Sequence, residues 1–367
     1  MKPLLFVTGH APAFRVGAFA RLHEREGIEL ALFGGHRRHG GPEGTGELPF
    51  PHRQVTPREL YSLAAGGGYR AVVCPTGGRA ALLATWAGAR RARVPLIVWA
   101  SLWAHPRTPA HALSYLPLRR LYRSADAVVT YGPHVSAYVR ERGARNVYVA
   151  PQSVDNEFWA SPEASAPSLP GSITGQPTRF LFVGRAAREK GLAVLLDAWA
   201  RTGLEPPAAA LVLVGAREQG AGAGWGLHAA HPGVFALGPL EAPQLRDAYA
   251  GADALIVPSI ATREFREPWG LVVNEAMSRG LPVIASDAVG AAAGGLVRDG
   301  ETGLVVPAGD PGALAAAISR LAGAPALREQ MGAAAAKAVA TYTHEQWALG
   351  FSQALASLGL TATRGHW

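Results

Sequence analysis

Two glutamates separated by seven residues stand in the run Glu267-Pro268-Trp269-Gly270-Leu271-Val272-Val273-Asn274-Glu275. Paired carboxylates invite acid/base chemistry of the kind that cleaves glycosidic bonds. The pattern around them favours a different use. Gly270 and Leu271 fall where a helix is expected to begin, so their N–H groups lack intrahelical partners and can face an anion. Glu267 then precedes the helix in a loop, and Glu275 lies about one turn inside it. Two carboxylates so placed reach different hydroxyls of one extended, polyhydroxylated ligand, and an anion fits between them.

A second group supplies positive charge. The apolar run Phe180 to Val183 ends in Gly184-Arg185, and Lys190-Gly191 follows before the next helical stretch. That loop brings two cations to the carboxyl end of a strand, where a departing diphosphate would be stabilised by fixed charge. Lys190 is one of three lysines in a chain with 32 arginines, an unevenness that marks it as functional. Read together with Arg185 and Lys190, the two glutamates become hydroxyl acceptors at the two ends of a nucleotide sugar.

The elements that must position these groups alternate. Short strands are expected at Leu4 to Thr8, Leu30 to Phe33, Ala71 to Cys74, Leu96 to Ala100, Ala127 to Thr130 and Val147 to Ala150. Six more follow at Phe180 to Val183, Leu211 to Val214, Val234 to Leu237, Ala254 to Val257, Val283 to Ala285 and Gly303 to Val306. Alanine-rich helical stretches lie between them, the pattern of doubly wound parallel-sheet α/β domains. At 367 residues the chain accommodates two such domains. Residues 161–178, rich in Pro, Ser and Gly, read as a linker or surface excursion between a first domain at 1–160 and a second at 179–343.

Composition narrows the partners. The net charge of +8 is concentrated in residues 1–165, which carry 20 Lys and Arg against 11 Asp and Glu. Clusters at Arg90-Arg91-Arg93 and Arg119-Arg120-Arg123 suit a membrane surface or an anionic acceptor. No recognition motif or aromatic platform accompanies them, so nucleic acid is not expected. Cys74 is the single cysteine, which excludes an internal disulfide and fits a reducing compartment. No run of 18 apolar residues occurs, and the expected location is the cytoplasm, with association to a membrane left open. Gly220 to Gly226 is glycine-rich without spelling G-x-G-x-x-G and reads as a surface loop. Thr76-Gly77-Gly78-Arg79 reads as a tight connection.

Val183-Gly184-Arg185 with Lys190-Gly191, Val257-Pro258-Ser259, the E-x₇-E run continuing into Ala276-Met277, Gly280-Leu281-Pro282-Val283-Ile284-Ala285 and Gly303-Leu304-Val305-Val306-Pro307 together resemble the retaining glycosyltransferases of family 4. The resemblance implies the GT-B architecture, two Rossmann-like domains facing across a cleft, with a C-terminal helix near Thr343 to Leu358 packing back on the first domain. It implies that Arg185 and Lys190 bind the donor diphosphate, that Glu267 contacts the sugar, and that Glu275 contacts the ribose. Gly184 and the amides of Trp269, Gly270 and Leu271 would hold phosphate and sugar beside Pro268. The base would pack near Gly238-Pro239-Leu240.

In the first domain the resemblance implies a role for His105, after the strand Leu96 to Ala100, near the sugar and the acceptor. The family's glycine-rich loop after the first strand is replaced by residues 9–17, where His10, Arg15 and Gly17 are the substitute contacts. The implied reaction is sugar transfer to an acceptor hydroxyl with retention, by front-face displacement and without a metal or other cofactor. Alternatives are a GT-B phosphorylase, a sugar-nucleotide epimerase, or a non-catalytic nucleotide-sugar-binding subunit. The acceptor is unnamed, with anionic and lipid-linked molecules both open.

Overall fold

A computed structural model describes residues 2–34, 48–161, 178–204, 206–215 and 232–361. Residues 162–177 of the expected linker and the glycine-rich run at 220–226 lie outside the described residues. The chain divides into two compact units, Met1–Asp155 with Tyr342–Trp367, and Asn156–Thr341.

The first unit is built on a seven-stranded parallel sheet in the order β3-β2-β1-β4-β5-β6-β7. Its strands are β1 (Leu4–Thr8), β2 (Ile28–Leu32), β3 (His52–Gln54), β4 (Ala71–Pro75), β5 (Leu96–Ala100), β6 (Ala127–Thr130) and β7 (Val147–Val149). Every residue of β1 is buried, because helices cover both faces of the sheet. Leu4 and Phe6 point to one face, where they meet Phe19 of α1 (Ala13–Glu26) and Trp347 and Phe351 of the helix His344–Ser357. Leu5 and Val7 point to the other, toward Leu60 of α2 (Pro57–Ala65) and Ala81 and Ala89 of α3 (Arg79–Ala92). The aromatic rings of Phe6, Phe19, Trp99, Trp347 and Phe351 form one connected cluster, with Trp347 and Phe351 at 4.6 Å. The C-terminal helix is therefore part of the core of this unit. Thr343 caps it by accepting the Gln346 N–H at 3.1 Å.

β3 was not expected from the sequence. Its three residues, His52, Arg53 and Gln54, are all exposed at the sheet edge and carry no apolar signal. α1 begins at Ala13, so Arg15 and Gly17 are helical rather than part of a phosphate-binding loop.

The second unit has a six-stranded parallel sheet in the order β10-β9-β8-β11-β12-β13. The strands are β8 (Thr178–Val183), β9 (Ala209–Val214), β10 (Val234–Leu237), β11 (Ala254–Val257), β12 (Val283–Ser286) and β13 (Gly303–Val306). The chain runs outward from β8 through β9 to β10, then returns to place β11 on the other side of β8. The order reverses between β8 and β11, and in open α/β sheets ligands bind at that switch point beyond the carboxyl ends of the strands. The unit begins with α6 (Asn156–Ala160), whose Trp159 packs on Tyr249 at 5.7 Å. Arg279 donates to the Ala160 carbonyl at 3.1 Å. These contacts explain why the division falls before Asn156 rather than after residue 160.

Candidate functional site

Lys190 and Glu267 come together at the switch point of the second unit. Lys190 ends a single 3₁₀ turn, Arg188–Lys190, in the loop after β8, and Glu267 lies in the loop after β11. The Lys190 Nζ donates to Glu267 Oε2 at 2.5 Å, and the Ser259 hydroxyl donates to the same oxygen at 3.4 Å. Glu267 is buried and Lys190 partly so, so the pair is held in a medium where charge interacts more strongly than in bulk water.

Two glycines allow this approach. Gly191 has φ +71°, and a Cβ there would sit 1.9 Å from the Pro258 carbonyl oxygen, so only glycine lets the β8 loop lie against the β11 loop. The contact is reinforced by the Ile260 N–H donating to the Glu189 carbonyl at 2.9 Å. Gly290, in the turn after β12, passes equally close to the Pro268 carbonyl. Its N–H donates to the Glu267 carbonyl at 3.1 Å, and the Ala291 N–H donates to that of Trp269 at 2.8 Å. The segment bearing Glu267 is thus fixed from both sides, with backbone order that a flexible loop would lack.

Glu275 sits in the first turn of the helix Val272–Ser278. It is buried, and the Tyr249 hydroxyl donates to its Oε2 at 2.8 Å. Burial pushes its carboxyl up to about 7, with the Tyr249 hydrogen bond opposing the shift. Trp269 is buried as well, and its indole N–H donates to Asn274 Oδ1 at 2.7 Å. That side chain pins the helix start, which leaves its backbone rather than its ring for a ligand. Among the described residues no acceptor is recorded for the N–H groups of Gly270 and Leu271, the donors expected at this helix start.

Gly184 closes β8, its N–H donating to the Val214 carbonyl at 3.0 Å. Arg185 extends from the same loop, 69% exposed and 3.5 Å from Glu189. Leu240 is half-buried in the loop after β10. The carboxyl ends of β10, β8, β11 and β12 therefore present, along one edge of one sheet, an apolar residue, two cations, a carboxylate and the glycine turn that positions it. Sequence reasoning missed Tyr249 and Gly290. Gly290 follows a strand at its ligand-facing end, a position that could have drawn notice, whereas Tyr249 lies 26 residues from Glu275 in a helix with no local signal.

The first-unit candidates are placed differently. His105 lies in the wall of a cavity of about 790 Å³ lined also by Trp103, Arg107, Tyr138 and Arg142. Its Nε2 is 2.7 Å from the His111 carbonyl and so carries the proton, leaving Nδ1, in the neutral ring, to accept the Tyr138 hydroxyl at 3.3 Å. Both ring nitrogens are engaged within the unit. His10 is half-buried after β1, its ring against Gly34. Gly17 faces the His344 ring from inside α1, so its missing side chain serves packing rather than a phosphate.

Residues 177–323 match the model of the glycosyl transferases group 1 family. The second unit carries a group 1 glycosyltransferase domain. The family 4 resemblance drawn from the motifs holds at this level. A phosphatidyl-myo-inositol mannosyltransferase of Mycobacterium leprae is 37% identical over 205 residues, 55% of this chain and 51% of that protein. A D-inositol 3-phosphate glycosyltransferase of Geodermatophilus obscurus is 31% identical over 287 residues, 71% of this chain and 61% of that one. The chain thus spans less than two thirds of either relative. Among solved structures, Anabaena Alr3699/HepE in complex with UDP and glucose superposes with a TM-score of 0.74 at 20% identity, covering 97% of this chain and all of that one. The sucrose-phosphate synthase of Thermosynechococcus elongatus gives 0.72 at 22% identity, with 98% and 99% covered. The fold around the group 1 domain is GT-B, with two Rossmann-like parallel-sheet units.

Proposed function

We propose that the chain transfers a sugar from a nucleotide diphosphate sugar to an acceptor hydroxyl. The observation that carries this reading is the Lys190–Glu267 contact at the switch point of the second sheet. A cation and a carboxylate at one point match the bond to be broken, since phosphate oxygens accept from Lys190 while sugar hydroxyls donate to Glu267. Arg185 adds charge from the exposed side, the amides of Gly270 and Leu271 add donors, and Glu275 accepts from the ribose hydroxyls.

The reaction that these groups favour is a front-face displacement with retention. The acceptor oxygen bonds to the anomeric carbon as the carbon–phosphate oxygen bond breaks. The bonding pair goes to the leaving diphosphate, which takes the hydroxyl proton. Lys190 and Arg185 stabilise the charge that develops on that diphosphate, so that positioning and electrostatics do the catalysis without a metal. Ligand binding to the folded state raises the melting temperature, by about 2.7 kcal/mol of added stability at a hundredfold excess over Kd. A thermal-shift panel of UDP, GDP, ADP and TDP sugars is expected to show stabilisation by one base. A flat response to the whole panel removes the nucleotide-sugar reading.

A membrane surface is the proposed neighbour of the first unit. α4 (Pro109–Ser124) exposes Leu113 and Leu116 at 83% and 69%, with Arg120 and Arg123 exposed further along the helix. Exposed leucines beside arginines suit the headgroup region of anionic lipid. Co-sedimentation with anionic vesicles is expected, and Leu113→Ser with Leu116→Ser is expected to reduce it. Equal sedimentation with neutral vesicles would contradict the charge argument.

A further inference from the structure

The Tyr249 hydroxyl gives the Glu275 carboxylate its direction, and Tyr249 must in turn be held. The tyrosine lies near the end of the helix Ala242–Ala250 and is fully buried. Its hydroxyl donates to Glu275 Oε2 at 2.8 Å, so the plane of that ring decides which way the carboxylate can face. Trp159 of α6 meets the ring edge to face, with centroids 5.7 Å apart and planes at 78°. Aromatic rings so arranged attract one another beyond simple burial, and the contact resists tilting of the tyrosine. Trp159 is itself buried.

α6 has only five residues, too few for a helix that is stable alone. Two arginines anchor it, one from each element it serves. Arg246, in the same helix as Tyr249, places its guanidinium 5.2 Å from the Phe158 ring centroid and donates to the Ser161 hydroxyl at 3.0 Å. Arg279 follows the helix Val272–Ser278 that bears Glu275, and it donates to the carbonyls of Ala160 and Ser161 at 3.1 and 2.6 Å. α6 thus bridges the helix that carries the hydroxyl and the helix that carries the carboxylate. The second unit begins at Asn156, so its first helix belongs to the scaffold that sets Glu275.

We propose that Trp159 is a positioning residue for nucleotide binding: acting through Tyr249, it fixes the Glu275 carboxylate in the direction from which ribose hydroxyls donate to it. This rests on the ribose contact proposed above. A small displacement matters, because a hydrogen bond weakens steeply as its angle departs from linear. The proposed diphosphate contacts, Lys190 and Arg185, come from the loop after β8. Truncation of Trp159 therefore separates recognition of the ribose from recognition of the diphosphate.

Calorimetric titration reads that separation. The full-chain protein is used as wild type, Trp159→Leu and Trp159→Phe, at about pH 8, where the Glu275 carboxyl is mostly ionised. The probes are UDP, GDP and ADP and the dideoxy analogue of each, which keeps base and diphosphate and lacks the ribose hydroxyls. The wild type is expected to bind one nucleoside diphosphate about tenfold more tightly than its analogue. Trp159→Leu is expected to bring that ratio close to one by weakening the nucleoside diphosphate alone. Trp159→Phe, with a smaller ring in the same place, should give an intermediate ratio. A wild-type ratio in Trp159→Leu overturns the proposal, and so does an equal loss for both ligands, which marks a merely structural role. Should Trp159→Leu fail to fold, a wild-type ratio in Trp159→Phe overturns it. Melting temperatures of unliganded Trp159→Phe, Glu275→Gln and the double variant are the second arm. The double shift is expected to fall short of the sum of the single shifts, because both changes act on the one Tyr249 contact, and additive shifts overturn the proposal. Absence of nucleoside diphosphate binding by the wild type would instead remove the transferase reading, and the melting temperatures would then decide the coupling of Trp159 to Glu275 by themselves.

Discussion

Lys190→Met is expected to weaken binding of the nucleotide sugar about ten- to hundredfold, the loss of a charge-assisted contact of roughly 1.5–3 kcal/mol. Two effects add at this position. The variant removes a cation from the proposed diphosphate site, and it takes the cation away from Glu267, which is 7% exposed and receives the Lys190 ammonium at 2.5 Å. A buried carboxylate that loses its neutralising cation is costly, so the melting temperature of the unliganded protein is expected to fall as well. Arg185→Ala provides the contrast. Arg185 is 69% exposed and its pair with Glu189 spans 3.5 Å, so folding stability should move by no more than about 0.5 kcal/mol while donor affinity drops. Calorimetric titration of both variants with donor and with the free nucleoside diphosphate checks the assignment. Donor affinity unchanged in Lys190→Met would move the diphosphate away from the β8 loop.

The second large effect is a pH dependence set by Glu275. Its carboxyl lies at about 7 in the folded protein, raised from 4.5 by burial. For a raised acid, the native state binds a proton that the unfolded state releases. The associated stability is fully present below pH 4.5 and is lost as pH rises through 7. Under the proposed ribose contact, ligand binding has the opposite sign, because ribose hydroxyls donate best to the ionised carboxylate. At pH 6 roughly a tenth of the sites are ionised, so affinity for the nucleoside diphosphate should be about tenfold weaker than at pH 8. Glu275→Gln is expected to flatten that component and to leave only the titration of the ligand's own phosphate. Tyr249→Phe removes the hydrogen bond that opposes the shift, so the midpoint should move upward. Identical pH profiles for wild type and Glu275→Gln would show that no ribose contact depends on this carboxylate.

What the sequence made legible follows from which interactions are local. Buried parallel strands are continuous apolar runs, and Leu4–Thr8, Leu96–Ala100 and Ala254–Val257 occur where their composition puts them. β3 carries no such run, because an edge strand of exposed His, Arg and Gln is held by backbone pairing to β2. The loop expected over residues 9–17 was punctuated by Gly9, Pro12 and Gly17. Pro12 instead sits at the N-cap of α1, and Gly17 is kept by the ring of His344, more than 300 residues away. The same distance hides side-chain partners. Glu275 read as a helix residue with a free carboxylate, and only folding brings Tyr249 to it. His105 read as a ligand-facing residue from its place after β5, and the contacts that occupy its nitrogens come from α4 and from Tyr138 of α5 (Pro133–Glu141). Lys190 and Glu267 were each legible from residue type and spacing. Their mutual contact was not, since it depends on Gly191 meeting Pro258 across two loops.

The central claim is that nucleotide sugar held at the β8 and β11 loops loses its sugar to an acceptor hydroxyl. Phosphorus and proton NMR of the full-chain protein, incubated with the nucleotide sugar that stabilises it and a panel of phosphorylated polyols, tests this directly. The predicted result is release of nucleoside diphosphate together with a new glycoside of the same anomeric configuration as the donor. Release of sugar 1-phosphate on addition of inorganic phosphate, an epimerised donor, or a glycoside of inverted configuration would contradict it.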